Sequence, residues 1–392
     1  MRILVANDGI GDAGGVQAYL ATACADLQRR GHELAFLHVD ERRADADSPI
    51  IDAPHFCVES LGVAPAVASA LAWQPDVAFS HNMHELRVEE LLMDSRPLVK
   101  MMHGYFGTCV SGQKAHLFPA PVACTRRYGI ACGVLYAPRH CGELAPAAIM
   151  RHVSWAQQQR ALFPRYASVV VASTHMAEEY ARNGVAPEKV RANALFPTVS
   201  PATKPAPLPR EFTIAFLGRM TRLKGGDVLI RAAASAGRML GAPPRVVFAG
   251  DGPAQVEWQA LARTLGVRAE FRGWVDSGDL PALLREASIV AVPSVWPEPF
   301  GLVGLDAAGQ GVAAVAFDVG GIREWLEDGR TGRLVPPARG VEGFTAALVE
   351  SALHPDRLQQ WRRAAWEHAS RASVDAHVDR LLPVLERASD AR

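Results

Sequence analysis

Short apolar runs alternate with amphipathic stretches along most of the chain. The runs with the length and composition of buried parallel strands are residues 2–6, 33–39, 77–80, 98–102 and 168–172 in the first half, and 212–217, 245–249, 269–271, 289–292 and 312–317 in the second. The stretches between them, such as 16–30 and 174–183, have the helical spacing of apolar positions. Strands that alternate with helices predict an α/β protein built from parallel sheets.

The alternation stops at residues 197–210 and then restarts. This segment contains five prolines and few apolar residues, which is typical of an interdomain linker. A chain of 392 residues is also longer than one hydrophobic core usually serves. We therefore predict two Rossmann-like, doubly wound domains, at residues 1–196 and 211–373, followed by a helical segment at 374–392.

Composition and charge narrow the functional classes. Lys+Arg and Asp+Glu both number 41, so there is no basic footprint, and nucleic acid is not a predicted partner. The first apolar run ends at Asn7 and Asp8, which is too short for a secretory signal or a membrane span and predicts a cytoplasmic protein. Six cysteines in so long a chain agree with a reducing compartment.

Glycines follow the first predicted strand. Gly9, Gly11 and Gly14 fit the dinucleotide fingerprint G-x-G-x-x-G, and Asp40 ends the second strand, near where an acid would bind the ribose of NAD. This pattern alone has three interpretations. It fits an NAD-dependent oxidoreductase, a loop that contacts another phosphate-bearing or sugar ligand, or a plain tight turn.

Polar residues follow the next predicted strands. His81, Asn82 and His84 come after one strand, and His103 comes after the next. Ligands of open α/β sheets collect at the carboxyl ends of the strands, so His103 is a candidate site residue. A solvated or structural histidine is the alternative interpretation.

Two cations stand near the start of a predicted helix in the second half. Arg219 follows the strand at 212–217, and Lys224 precedes the helical stretch that comes next. Cations at a helix N-terminus oppose the helix dipole, unless a polyanion lies between them and the helix end. The pair therefore predicts a phosphate site, and an exposed Arg and Lys in a surface turn is the alternative.

A carboxylate is displayed after the strand at 289–292. Pro297 and Pro299 prevent both a strand ladder and a helix around Glu298, and a helix is predicted to begin at 300–302. The free N–H groups and positive dipole end of that helix favour an anion. A carboxylate beside an anion-binding helix end suits a ligand that carries hydroxyls and phosphates together.

Four of the six cysteines lie close together in sequence, at Cys109, Cys124, Cys132 and Cys141. Three interpretations remain open: a structural zinc site, a disulfide, and ordinary reduced cysteines in an inserted loop. The spacings are wide and contain no C-x2-C pair.

Three ordered motifs of the second half resemble the retaining glycosyltransferases of family four, which have the GT-B architecture. They are Gly218-Arg219 with Lys224-Gly225, Gly-Asp-Gly-Pro at 250–253, and Pro-Glu-Pro-Phe-Gly at 297–301. The resemblance covers residues 212–337 in the correct order, and the N-terminal glycines and His103 also fall where that family would place them. It implies that the second domain binds a nucleotide-sugar donor, that the first binds the acceptor, and that they react in the cleft between.

The resemblance also implies roles for individual residues. Arg219 and Lys224 would hold the donor diphosphate and stabilise its charge as it leaves. Glu298 would be the first acid of the family's Glu-x7-Glu motif and bind donor-sugar hydroxyls, and Asp306, one methylene shorter than the usual second acid, would bind the ribose. The other implied contacts are the backbone N–H groups of Phe300, Gly301 and Leu302 beside the donor, His103 beside the sugar, and Gly14 and Gly15 near the phosphates.

The implied reaction is metal-independent hexosyl transfer from a UDP- or GDP-sugar, used as substrate, to a carbohydrate or glycolipid acceptor. No obligatory cofactor is implied, and the expected process is cell-surface polysaccharide or glycoconjugate synthesis. The terminal segment at 374–392 would cross back to the first domain, and peripheral contact with the inner membrane face is an added expectation. The alternatives from other classes are the NAD-dependent oxidoreductase and a nucleotide-sugar sensor without turnover.

Overall fold

The computed structural model describes residues 1–10, 15–40 and 52–390. Within these residues the first sheet has seven parallel strands in the order β3-β2-β1-β4-β5-β8-β9. These strands are β1 (Arg2–Asn7), β2 (Glu33–His38), β3 (His55–Cys57), β4 (Val77–Ser80), β5 (Leu98–Met102), β8 (Ser168–Val171) and β9 (Val190–Ala192). The strand order reverses between β1 and β4, which is the position where open α/β sheets bind ligands.

The second sheet contains, in the described part of the chain, six parallel strands in the order β12-β11-β10-β13-β14-β15. These strands are β10 (Thr213–Leu217), β11 (Arg245–Ala249), β12 (Arg268–Phe271), β13 (Ile289–Val292), β14 (Ala313–Phe317) and β15 (Gly332–Val335). Its order also reverses, between β10 and β13, so the strands that precede Arg219 and Glu298 are neighbours.

Helices cover both sheets. Those of the first domain are α1 (Gly15–Arg29), α2 (Val58–Leu61), α3 (Val63–Ala72), α4 (Leu86–Met93), α5 (Ile130–Leu135), α6 (Pro146–Ala161) and α7 (Thr174–Arg182). Those that follow are α8 (Gly226–Leu240), α9 (Gln255–Leu265), α10 (Leu280–Glu286), α11 (Leu302–Gly309), α12 (Gly340–Leu353), α13 (Pro355–Ala369) and α14 (Val374–Asp390). Short 3-10 turns lie at Pro187–Lys189, Arg222–Lys224, Gly320–Glu324 and Pro337–Arg339. No helix in these described ranges is long and apolar enough to cross a bilayer.

The last helix packs on the first sheet. Val378, Leu381 and Leu385 of α14 are fully buried in one apolar cluster with Val77 and Phe79 of β4. Along β1 the side chains alternate between the two faces of the sheet. Helices α1 and α14 cover one of these faces. The first domain therefore includes a helix, α14, that comes after the second domain in the sequence.

The proline-rich linker lies along the second domain. Arg362, a buried arginine of α13, donates to the carbonyl oxygen of Ala206 at 3.2 Å, and Trp366 donates to that of Ala202 at 2.8 Å. Gln310, just after α11, donates to the Ser200 carbonyl at 2.9 Å. Linker carbonyls that no ladder can pair are thus satisfied by side chains of the second domain.

Residues 104–145 form an insertion between β5 and α6. It contains the two-stranded antiparallel pair β6 (Ala115–His116) and β7 (Val122–Ala123), and the six-residue helix α5. No residue of α5 is buried, although its sequence is Ile-Ala-Cys-Gly-Val-Leu.

The predicted α/β fold with two doubly wound sheets is confirmed. The ten predicted strands are all present, with ends that differ by at most one residue. The short edge strands β3, β9 and β15 and the β6–β7 pair were not predicted. A strand of two to four residues at a sheet edge is too brief to show a pattern of its own.

Candidate active site

Glu298 lies on the loop between β13 and α11, and its carboxylate is already occupied. Oε1 accepts hydrogen bonds from Lys224 Nζ at 2.6 Å and from Ser294 Oγ at 2.5 Å. Glu298 is only 4% exposed, whereas the Lys224 side chain is 27% exposed. The carboxylate therefore faces a protein partner on one side, and the ammonium group has access to the cleft.

The loop that carries Glu298 is held from behind by the turn after β14. The Gly321 N–H donates to the Glu298 carbonyl at 2.7 Å. Gly320 has φ +56, and a Cβ there would overlap the backbone of Glu298. Backbone approaches this close require glycine, so two glycines near residue 320 fix the position of a carboxylate at residue 298.

The helix end beside Glu298 has the form expected of an anion site. Gly301 adopts φ +84 and α11 begins at Leu302, so its first N–H groups have no intrahelical partners. Phe300 is buried, and its carbonyl accepts from Trp325 Nε1 at 2.7 Å. Phe300, Gly301 and Leu302 thus lead directly from the Glu298 loop into α11.

Arg219 and Lys224 differ in their surroundings. Arg219 is exposed, and no side chain in the described part of the protein forms an ion pair or hydrogen bond with its guanidinium. Lys224 is paired with Glu298 and lies 5.3 Å from the ring centroid of Trp296. Before a ligand binds, the two predicted cations therefore differ: the Arg219 guanidinium is free for a ligand, and the Lys224 ammonium group is paired with a carboxylate.

Asp306 lies one turn into α11 and is 4% exposed. Its carboxylate accepts from the Thr198 N–H at 2.6 Å, the Thr198 hydroxyl at 2.8 Å and the Val199 N–H at 3.4 Å. Burial raises the pKa of Asp306 to about 6, and these hydrogen bonds oppose that rise. The second acid of the predicted motif is thus bound to the interdomain linker.

His103 lies at the end of β5 against a second histidine. His103 Nε2 and His81 Nδ1 are 3.0 Å apart, and the two rings are stacked with centroids 5.3 Å apart. Burial, followed by the charge of Lys100, lowers the pKa of His103 to about 3, and burial lowers that of His81 as well. Both rings are neutral at physiological pH.

Tyr19 of α1 joins this pair to the last helix. Its ring centroid is 5.6 Å from that of His103, and its hydroxyl is 2.9 Å from His377 Nε2. His377 Nδ1 is 2.9 Å from the Ala194 carbonyl, which can only accept, so Nδ1 carries the proton and Nε2 accepts from Tyr19. The arrangement links three segments that are far apart in sequence.

Tyr105 carries a buried polar group that the sequence analysis did not single out. Its side chain is fully buried, and its hydroxyl has no hydrogen-bond partner among the described residues. Burial and the charges of Glu179 and Glu298 raise the pKa of Tyr105. A buried donor without a protein partner is uncommon, and only its position two residues after His103 could have suggested this residue.

The N-terminal glycines are only partly described. Gly15 is the first residue of α1, with open space around its Cα. Gly11 and Gly14, which the sequence analysis also named, lie outside the described residues. The end of β1 is tied to the loop that follows β4, because the Asn82 N–H donates to Asn7 Oδ1 at 3.0 Å.

The two domains meet at this edge of both sheets. The Thr174 N–H at the start of α7 donates to Glu324 Oε1 of the second domain at 2.7 Å. A cavity of about 430 Å³ beside this contact is lined from both domains by residues that include His175, Pro297 and Gly320. The cleft predicted between the carboxyl ends of the sheets therefore contains space beside the Glu298 loop.

The cysteine cluster forms neither a disulfide nor a metal-binding group within the described residues. All six thiols are free. Among the described residues, no group of three or more His, Cys, Asp and Glu side chains is placed to hold a metal ion. Burial, followed by the neighbouring cysteines, raises the pKa of Cys141 to about 11. The arrangement supports neither the zinc nor the disulfide interpretation of this cluster.

Solved structures share this fold over the whole chain. HepE of Anabaena in complex with UDP matches with a TM-score of 0.70 at 18% identity, covering 99% of this chain and all of that one. Sucrose-phosphate synthase of Thermosynechococcus elongatus also matches with a TM-score of 0.70, at 18% identity and with full coverage of both chains. The two facing Rossmann-like domains are therefore a GT-B fold.

Two sequence families match the two domains. A family described as glycosyl transferase 4-like domain matches residues 14–195, and one described as glycosyl transferases group 1 matches residues 211–352. The chain thus belongs to the group 1 glycosyltransferases with a family 4-like first domain, which transfer a sugar from a nucleotide sugar. The resemblance to family-four glycosyltransferases is confirmed, and the oxidoreductase interpretation of the N-terminal glycines finds no support.

Curated relatives agree with this assignment. The D-inositol 3-phosphate glycosyltransferase of Rhodococcus erythropolis is 28% identical, over 98% of this chain and 89% of that protein. The protein of the same name from Kribbella flavida is 43% identical over 170 residues, which are 40% of this chain and 39% of that one.

Proposed function

We propose that this glycosyltransferase is a retaining, metal-independent hexosyltransferase that moves a sugar from a UDP- or GDP-sugar to a carbohydrate or glycolipid acceptor. The proposed process is cell-surface polysaccharide or glycoconjugate synthesis. The observation that carries the proposal is the ion pair of Lys224 with Glu298 at 2.6 Å, beside the N-terminus of α11 and Arg219, which has no side-chain partner among the described residues. Cation, carboxylate and helix end together match the diphosphate and hydroxyls of a nucleotide sugar.

The diphosphate would lie between Arg219 and Lys224. When the donor binds, a phosphate oxygen takes the place of the Glu298 carboxylate as the charged partner of Lys224. Glu298 is then free to accept hydrogen bonds from sugar hydroxyls. Charge that develops on the leaving diphosphate is stabilised by both cations and by the first N–H groups of α11. This set of protein donors performs the task that a metal performs in other sugar transferases.

The first domain would complete the site. His103 would contact the donor sugar, Gly14 and Gly15 would lie near its phosphates, and the Tyr105 hydroxyl would be a further donor for a sugar or acceptor hydroxyl. Asp306 would bind the ribose after exchanging its linker contacts for ligand hydroxyls. HepE, which shares the fold, is described in complexes with UDP and UDP-glucose, so UDP-glucose is the first donor to test.

The test separates the sugar from the diphosphate. Glu298→Gln should lower transfer strongly, because the amide nitrogen cannot accept from sugar hydroxyls. Affinity for free UDP or GDP should stay equal or rise, because the carboxylate of residue 298 no longer competes with the diphosphate for Lys224. Calorimetry with the free nucleotide, a transfer assay, and NMR of the product anomer measure the three claims.

Equal losses of transfer and nucleotide affinity would contradict the proposed division of roles. No thermal shift with any UDP-, GDP- or ADP-sugar would overturn the function itself, because a ligand at 100 times its Kd stabilises a protein by about 2.7 kcal/mol. Binding without transfer or hydrolysis would favour the sensor interpretation.

The proposal includes peripheral contact with an anionic lipid surface through the insertion. Ile130 is 91% exposed and Val134, one turn later on the same face of α5, is 70% exposed. Arg126 and Arg127 lie in the segment before the helix, separated from it by two residues, and are also exposed. Apolar side chains beside cations fit the boundary between lipid headgroups and acyl chains, and each cation near an anionic surface contributes about 1 kcal/mol.

Vesicle sedimentation tests this surface. The protein should pellet with vesicles of equal parts phosphatidylglycerol and phosphatidylcholine, and much less with phosphatidylcholine alone. The double variant Ile130→Asp, Val134→Asp should abolish pelleting. Val256→Asp, at a 76% exposed position of the second domain, is the matched control and should not change it. Equal pelleting of both variants, or none by the unmodified protein, would contradict the lipid surface and favour a protein partner for α5.

A further inference from the structure

A buried polar group beside the candidate site has no role in the mechanism described so far. His81 follows β4, is 0% exposed, and its Nε2 has no hydrogen-bond partner among the described residues. Its other nitrogen, Nδ1, is 3.0 Å from His103 Nε2. Two neutral imidazoles at this distance share one proton, and its location decides what His103 can do.

The surroundings of His81 determine that location. The ring packs against Phe79, with centroids 4.3 Å apart, and against Tyr19, with centroids 5.7 Å apart. If His103 donated the shared proton, His81 would carry its own on Nε2, and a buried N–H group would lack an acceptor. If His81 donates from Nδ1, its Nε2 carries no proton, and the unpaired group is a lone pair that faces aromatic rings. A buried donor without an acceptor is the more costly of the two.

We infer that His81 is a positioning residue that holds His103 in the tautomer protonated on Nδ1, so that His103 acts on the donor sugar as a hydrogen-bond donor. The inference rests on the proposed function of His103. With Nε2 occupied by His81, the remaining ring nitrogen of His103 is an N–H group, which can donate to a sugar hydroxyl but cannot remove a proton from the acceptor.

Further contacts hold this geometry in place. Lys100 Nζ donates to the His81 carbonyl and pairs with the buried Glu89 at 2.6 Å, so the backbone at the end of β4 is fixed. The Tyr19 ring contacts both imidazoles and is itself held through its hydroxyl by His377. Neither ring can turn without breaking these contacts.

The first test needs no variant. Protein labelled with 15N on histidine side chains is examined by NMR at neutral pH, and the His103 signals are assigned by their loss in His103→Gln. The inference requires a protonated Nδ1 and an unprotonated Nε2 on His103. The opposite tautomer, or a charged ring, would overturn it. This readout is independent of turnover, so it stands or fails separately from the proposed reaction.

The second test compares two substitutions of His81. The Asn side chain places an N–H close to the position of the histidine Nδ1–H, whereas Phe fills the space without a donor. His81→Phe should lower kcat on the order of tenfold to a hundredfold with little change in donor KM, and His81→Asn should recover most of that loss. Equal kcat values for the two variants would overturn the positioning role.

A control separates positioning from packing. His116→Phe replaces another buried histidine of the first domain, which is bound to Arg139 at 3.2 Å. Thermal melts of the three variants show which have lost stability. A fall in kcat for His81→Phe that only matches the fall in stability, without rescue by Asn, would assign His81 to the fold alone.

Discussion

At the scale of single residues, the site depends on a carboxylate and a cation that neutralise each other until a ligand separates them. Lys224 and Glu298 are 74 residues apart and lie on adjacent loops, because β10 and β13 are neighbours in the sheet. The sequence analysis predicted both residues but assigned them to separate parts of the donor. Their direct contact depends on strand order, which no local pattern specifies.

Removing each cation should therefore have a different effect. Arg219→Ala and Lys224→Ala should each weaken UDP binding by about 1.5–3 kcal/mol, the value of a charge-assisted hydrogen bond. Arg219→Ala should leave the melting temperature unchanged because the side chain is exposed. Lys224→Ala should lower it, because Glu298 is left buried with its charge unpaired. Calorimetry and thermal melts measure both quantities, and unchanged nucleotide affinity in both variants would contradict the site.

Asp306 should make the stability of the protein depend on pH. Its pKa is about 6 in the folded protein against 3.8 for the ordinary side chain. The folded state therefore binds the proton more tightly, and this contribution to the free energy of unfolding is fully present below pH 3.8 and is lost as pH rises to about 6. Asp306→Asn removes this dependence while it can still accept from the Thr198 N–H.

The measurement is the difference in the free energy of unfolding between Asp306→Asn and the unmodified protein. That difference should shift in favour of the variant as pH rises from 4 to 7 and stay constant above. A difference that does not change with pH would show that the carboxyl group titrates normally.

At the scale of elements, the strands could be predicted from the sequence, but the close contacts between the turns that follow them could not. Buried parallel strands are continuous apolar runs, so their positions can be read from the sequence. The turns that follow them are different, since a Gly-rich loop has the same composition whether it binds a ligand or packs on another loop. Gly250 is an example: a Cβ there would overlap the carbonyl oxygen of Gly218 on the neighbouring turn.

Gly250 and Gly218 make a matched pair for testing this packing. Their φ angles are +127 and +124, but nothing lies within 4 Å of a Cβ at Gly218. Gly218→Ala should destabilise by about 1–3 kcal/mol through backbone strain alone, and Gly250→Ala by clearly more. Urea unfolding of the two variants measures the difference, and equal losses would show that the loops can separate without cost.

At the scale of the whole molecule, the first domain is completed by a helix that follows the second. His377 and the apolar face of α14 could be recognised as helical in the sequence. The resemblance implied that this segment crosses back to the first domain, but it named no partner residues. No periodicity links Tyr19 to His377, because the two are 358 residues apart. The cluster around His103 therefore depends on chain topology, which only the structure provides.

Leu381 tests how much the first domain depends on α14. It is fully buried against the first sheet, so Leu381→Ala should destabilise that domain by about 2–5 kcal/mol. Leu353→Ala, at a 60% exposed position of α12, should change stability by less than about 0.5 kcal/mol. Hydrogen exchange of the β4 amides measures the effect in the right domain, and unchanged protection in Leu381→Ala would mean that α14 only rests on the surface.

The position of α14 also determines when the protein can finish folding during its synthesis. Domains usually fold one after another as they leave the ribosome, starting with the first. Here the first sheet lacks one of its covering layers until residues 374–390 have emerged. The part of this apolar face that α14 covers is left open while the whole second domain is being translated, so ribosome-bound chains that stop before residue 374 should be the ones that chaperones bind.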